Sequence, residues 1–175
     1  MAFRRISWAG ALAFVLLAAG CYPDLDWREV TSASGGYAVL MPARPDRAQR
    51  EVVMGGVTLS MSMTSVQREG VAFGVADAEI PTSYARPMEL LAAARAGLLR
   101  NIEGRVVSER TVAIDGVEGE EFRAEGTANG HPMQLAARVL IAGPRFYQIV
   151  FVGQRGRVPP ADVDLFLGSF RILSK

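Results

Sequence analysis

Between Val57 and Thr64 apolar and hydroxyl side chains alternate without a break: Val57, Leu59, Met61 and Met63 against Thr58, Ser60, Ser62 and Thr64. Successive side chains of a strand point to opposite faces, so this period describes a half-buried β-strand. A hydroxyl-bearing outer face suits an antiparallel sheet, because parallel sheets are covered on both sides. Glu51 to Met54 lies just upstream, across Gly55-Gly56, and the two segments read as a tight hairpin. Val71 to Glu79 continues the sheet with Val71, Phe73 and Val75 on one face. Its other face carries only Ala72, Gly74, Ala76 and Ala78, which predicts close packing by the next element.

That element is a helix from Arg86 or Pro87 to Ile102, with proline at the first helical position and Gly104 as its stop. Met88, Leu91, Leu98, Leu99 and Ile102 form the predicted apolar stripe, and Arg95 falls in the middle of it. Four strand patterns follow, Arg105–Asp115, Val117–Thr127, His131–Ala142 and Arg145–Gly153, joined by turn dipeptides as a meander. The stretch Phe146 to Val152 is apolar on both faces and reads as a central strand. Pro159-Pro160 opens a short helix with Val163, Phe166 and Phe170 at core spacing, and Phe170–Leu173 reads as a closing strand. Upstream, Trp27–Thr31 and Tyr37–Met41 read as strands, and Pro45 keeps the next segment out of a sheet interior. The predicted class is α+β: a central antiparallel sheet flanked by one long and one short helix, in one domain over residues 27–175.

The first twenty residues have a different character. Arg4-Arg5 precede an uncharged apolar run, Ile6 to Ala19, which ends at Gly20-Cys21. Basic start, apolar middle and small residues at the cut describe a secretory signal, and the run is shorter than the roughly 20 residues that span a bilayer. Leu17-Ala18-Ala19-Gly20-Cys21 resembles the bacterial lipobox, with Ala18 where leucine is commonest. On this reading residues 1–20 are a lipoprotein signal peptide, Cys21 is lipidated, and residues 21–26 are a tether. Tyr22 in place of an aspartate after the cysteine favours the outer membrane, on the periplasmic side of the envelope. The other readings are an ordinary signal peptide with a cut elsewhere, or a free thiol at a frayed terminus.

Charge excludes one class of partner. Without Arg4 and Arg5 the chain has seventeen basic against eighteen acidic residues and no basic run, so nucleic-acid binding is not expected. Chemistry is scarce as well. One histidine, His131, sits at a predicted hairpin tip after Asn129-Gly130, where an exposed turn residue is expected rather than a base. One histidine and one committed cysteine cannot build a zinc site. Met61 and Met63, with Met41, Met54 and Met133, could offer thioethers to Cu(I), but methionines on an apolar strand face read first as core. Glu118 and Glu120 share one strand face and Glu121 and Glu125 the other, so they read as a solvated edge or outer face. No catalytic residue, metal or cofactor is expected.

Arg95 admits three readings: a stem lying over apolar surface, a buried pair with an acid, or an arginine under a pocket that receives a carboxylate or phosphate. On the last reading it is the candidate ligand-binding residue.

Gly36-Tyr37 with the strand to Met41 and Pro42-Ala43-Arg44-Pro45 resembles the entry segment of the PsbP-like group, which includes DcrB-like bacterial lipoproteins. Arg145-Phe146-Tyr147-Gln148 with Val163, Phe166 and Ser169-Phe170 resembles its terminal strand and helix. The resemblance implies an α/β/α arrangement around a central antiparallel sheet, an accessory or interaction role, and no catalytic residues. The expected function is therefore a lipid-anchored, non-catalytic interaction module of the bacterial envelope, with the membrane and an envelope protein as partners. The alternative is a carrier or sensor of a small amphipathic or anionic ligand, held between the sheet and the long helix. A hydrolase ranks third.

Overall fold

A computed structural model describes residues 25–173. The signal, Cys21 and the start of the tether lie outside the described residues. The elements in chain order are β1 (Arg28–Ser32), β2 (Tyr37–Met41), β3 (Asp46–Met54), β4 (Val57–Arg68), β5 (Val71–Glu79), α1 (Pro87–Asn101), β6 (Arg105–Ile114), β7 (Val117–Ala128), β8 (His131–Ala142), β9 (Arg145–Gln154), α2 (Pro160–Gly168) and β10 (Arg171–Ile172). Seven strands form an antiparallel sheet in the order β3-β4-β5-β9-β8-β7-β6, with the doubly apolar β9 in the middle. Over the described residues the protein is a mostly-sheet α+β fold with two helices.

The first two strands depart from the expectation of one sheet. They pair with the closing strand in a separate three-stranded sheet, β1-β2-β10. Pro42 and Pro45 separate β2 from β3: a proline has no N–H for a ladder and holds φ near −65°. The chain therefore leaves β2 and starts the large sheet afresh at its edge. The hairpin turns carry their geometry in sequence. Asp115-Gly116 and Asn129-Gly130 have φ of 48° and 81°, and 50° and 76°, the left-handed pair of a two-residue hairpin.

Alternate residues of β9 belong to different cores. Phe146, Val150 and Val152 pack in the core of α1, with Leu90, Ala94, Leu98 and Ile102. Tyr147, Ile149 and Phe151 pack with Val163, Phe166 and Leu167 of α2 and with Tyr37, Val39 and Met41 of β2. Successive side chains point to opposite faces, so the sheet carries one core on each side. β4 serves both. Leu59 and Met61 point to the α1 core, while Thr64 and Val66 are buried on the other side, and Thr64 accepts the Tyr37 hydroxyl at 3.0 Å. Met63, expected inside with Leu59 and Met61, is 36% exposed.

The inward face of α1 also differs from the predicted stripe. Met88 is 71% exposed, and Leu91 and Leu99 are half-buried; Leu90, Ala94 and Leu98 are the buried ridge. Ala76 and Ala78 of β5 and Ala137 of β8 let the helix approach closely, and a close approach selects the ridge with alanine at its centre. The helix ends with Glu103 in the left-handed region at φ 46°, while Gly104 donates its N–H to Leu99 O at 2.8 Å. Gly104 is thus the second residue of the cap. Its hydrogen is required because a Cβ would lie 2.7 Å from Ile102 Cγ1.

Candidate functional site

Arg95 leaves the middle of α1 and reaches across to β6 and β7. It donates to Glu120 through Nη1 and to Glu109 through Nη2, and its guanidinium carbon stands 5.3 Å from the centre of the Phe122 ring. Glu109 is the register partner of Phe122, and Glu120 lies two residues before it, so all three face α1. Burial alone would make the guanidinium easier to deprotonate; the Glu109 and Glu120 carboxylates outweigh it and raise its pKa. Both carboxylates are engaged by one arginine over an aromatic ring. An incoming anion would have to displace them.

A groove of about 800 Å³ runs along this flank of α1. Its apolar lining includes Met88, Leu91, Ala92 and Ile141, and its polar lining includes Arg95, Glu109, Glu118 and Glu120. Among the described residues Glu118 has no ion-pair partner.

The acids of β7 are not at an edge, and of the four only Glu118 is exposed. β7 is an interior strand, and Glu121, 4% exposed, lies on the side away from α1. Arg138 of β8, its register partner, donates to it at 2.7 Å, and Arg110 of β6 does so at 2.7 Å from Nη2. Arg138 also donates to the Leu167 carbonyl at 2.8 Å, and Arg123 pairs with Asp164, so this network ties α2 to the sheet. Burial would raise the Glu121 pKa, but the two arginines lower it below the ordinary value. A second buried acid was hidden in the sequence as the next member of the Phe73, Val75 series. Asp77 is 2% exposed and accepts from Arg145 at 2.6 Å, yet burial prevails and raises its pKa. Alternation alone places Asp77 inward; its partner is visible only once β5 and β9 are paired.

His131 is exposed at the start of β8. The methionines are dispersed: Met41 is in the α2 core, Met61 in the α1 core, and Met54 and Met133 at that core's margin. Among the described residues no group of three or more histidine, cysteine or acidic side chains is placed to hold a metal. Nor is any described helix long and apolar enough to cross a membrane.

A second groove, about 400 Å³, lies on the opposite flank of α1, towards β3 and β4. Its walls include Val52, Met54 and Met61 from the strands, Ala93, Ala94, Gly97, Leu98, Arg100 and Asn101 from the helix, and Gln148 from β9. Sequence reading singles out neither Gln148 nor Arg100 as a site residue: Arg100 falls on the polar side of its helix, and Gln148, the one carboxamide in the apolar stretch Phe146 to Val152, enters only within the resemblance.

The comparisons with known proteins bear on the fold. No family model matches the chain, and no curated protein matches it. Among solved structures it is similar to cyanobacterial PsbP (CyanoP) from Synechocystis sp. PCC 6803, with a TM-score of 0.58 at 12% identity over 90% of this chain and 98% of that one. The fold is therefore PsbP-like. A protein of unknown function from Pseudomonas aeruginosa, PA94, aligns with a TM-score of 0.42 at 10% identity over 78% of this chain and 89% of that one.

Proposed function

We propose that the chain is a lipid-anchored, non-catalytic interaction module of the bacterial envelope, held at the membrane through Cys21. In this reading it is a DcrB-like domain of α/β/α layering, and the two cores on opposite sides of β9 support that layering. The observation that carries the functional reading is the groove beside Arg95. It combines a methionine 71% exposed with an apolar floor and an acidic rim, the form of a docking surface rather than of a reaction centre. Three acids line it against Arg95 and Arg110, and both arginines are already paired with glutamates. The charge left over is negative, so the fitting partner is a basic amphipathic segment of another envelope protein.

A photo-crosslinking residue in place of Met88, in cells with intact membranes, tests this. One discrete crosslinked partner that disappears on Glu118→Lys with Glu120→Lys supports the reading. Crosslinks no different from those of a control at Leu165, on α2, contradict it.

A further inference from the structure

Gln148 is a carboxamide in the middle of the central strand, on the side facing α1, where Phe146, Val150 and Val152 are apolar. Its side chain is half-buried and lines the groove between α1 and the β3–β4 hairpin, so its amide is open to whatever occupies that groove. A carboxamide set among apolar side chains is a polar contact that fixes the orientation of a ligand in the groove. On the rim above it stand Asn101 and Arg100. Arg100 is exposed, has no ion-pair partner among the described residues, and no acid lines the groove. The carbonyls of the helix end are already satisfied. Leu99 O accepts from Ile102 and Gly104, and Arg100 O from Glu103. The floor is apolar: Met54, Met61, Ala94 and Leu98.

Gly97 adds an independent observation. It sits mid-helix, where glycine is weaker than alanine, and a Cβ there would meet only Arg100 Nη2, at 3.8 Å. Packing within the described structure gives no reason for glycine at this position, and its absent side chain is what keeps the groove open.

We infer that this second groove binds a small amphipathic carboxylate: an apolar chain or ring over Met61 and Leu98, with its carboxylate between Arg100, Asn101 and Gln148. A volume of about 400 Å³ suits a small ligand. The inference is independent of the protein-docking surface beside Arg95. It puts an anion on the flank of α1 where the cation is free, instead of the flank where two glutamates already hold Arg95.

The test uses the full chain in lipid nanodiscs with methionine methyl groups labelled for NMR, and 4-phenylbutyrate as the probe. Met54 and Met61 line this groove, Met88 lines the other, and Met41 lies in the far core. The expected result is a saturable shift of the Met54 and Met61 signals alone. Arg100→Gln should weaken binding about tenfold or more, as should replacing the probe with the neutral 4-phenylbutyramide, since each removes a charge-assisted bond. Gly97→Leu should abolish binding while the Met41 signal stays in place, showing an intact fold. Absence of shifts at millimolar probe, equal binding of acid and amide, or shifts at Met88 in place of Met54 and Met61 would each overturn the inference.

Discussion

Glu121 and Arg138 face each other across β7 and β8, and the guanidinium donates to the carboxylate at 2.7 Å where the glutamate is 4% exposed. Arg110 closes the other side of the carboxylate, and Arg138 reaches on to the Leu167 carbonyl near the end of α2. A buried pair need not be worth more than apolar side chains of the same shape, but removing one member strands the other. The pair is therefore a joint between sheet and helix whose integrity is testable one residue at a time.

Glu121→Ala should destabilise the domain by roughly 3–5 kcal/mol, because Arg138 keeps only the Leu167 carbonyl and is left largely buried without a counter-charge. The pH dependence follows from the lowered pKa of Glu121. Its stabilising contribution is present above the ordinary value of 4.5 and is lost as pH falls through the lower folded-state value. Urea denaturation of wild type and Glu121→Gln should show the largest gap near neutrality and a shrinking gap in acid.

Asp77 should behave with the opposite sign. Its folded-state pKa lies above the ordinary 3.8, so its favourable contribution is complete below that value and is lost as pH rises through the folded-state value. Relative to wild type, Asp77→Asn should gain stability between pH 3 and neutrality. A variant that loses ground over the same range would mean that the Arg145 pair outweighs burial.

Two glycines should respond in opposite directions. A Cβ on Gly126 would lie 2.0 Å from Ile102 O, the acceptor of the Thr127 N–H at 2.6 Å, so Gly126→Ala should cost about 3 kcal/mol. The end of α1 rests on β7 at that point and has no room to move. Gly97→Ala meets only Arg100 Nη2, at 3.8 Å, an ordinary contact, and should stabilise the helix by roughly 0.5–1 kcal/mol. Thermal melts of the two variants check both.

For Arg95 the expected effect is modest. Its side chain is 30% exposed, as is that of Glu120, and pairs at that depth are worth about 1 kcal/mol or less. A double-mutant cycle of Arg95→Ala with Glu120→Ala should give a coupling of roughly 0.5–1 kcal/mol. The remaining loss in the single arginine variant would come from its stem and its contact with Phe122.

Hairpin turns were legible because they are local chemistry: Asp115-Gly116 and Asn129-Gly130 announce their hairpins, and Phe146 to Val152 announces a strand covered on both sides, whereas β3 begins at Asp46 instead of Glu51 and β4 runs on to Arg68. The exposed face of β4 was legible only as far as Ser62, because a strand that serves two cores changes which parity is buried without any change in alternation. The stripe on α1 was misjudged at Met88 and Leu90, since the choice between adjacent ridges depends on how closely the sheet's alanines let the helix approach. Arg95 stood out as a charge in an apolar stripe, yet its partners Glu109 and Glu120 lie 14 and 25 residues further along the chain. Asp77 with Arg145 and Glu121 with Arg138 are likewise products of strand pairing, which single-segment patterns do not contain.

The proposed role joins an anchor to a docking face, and one crosslinking measurement addresses both. A photo-crosslinking residue replaces Met88 in native membranes, in wild type and in Cys21→Ser, and membranes are separated from soluble material afterwards. The account predicts a single crosslinked partner in the wild-type membrane fraction, and a folded but released Cys21→Ser protein that has lost that crosslink. Unchanged membrane association of Cys21→Ser, or a wild-type pattern indistinguishable from the Leu165 control, would contradict it.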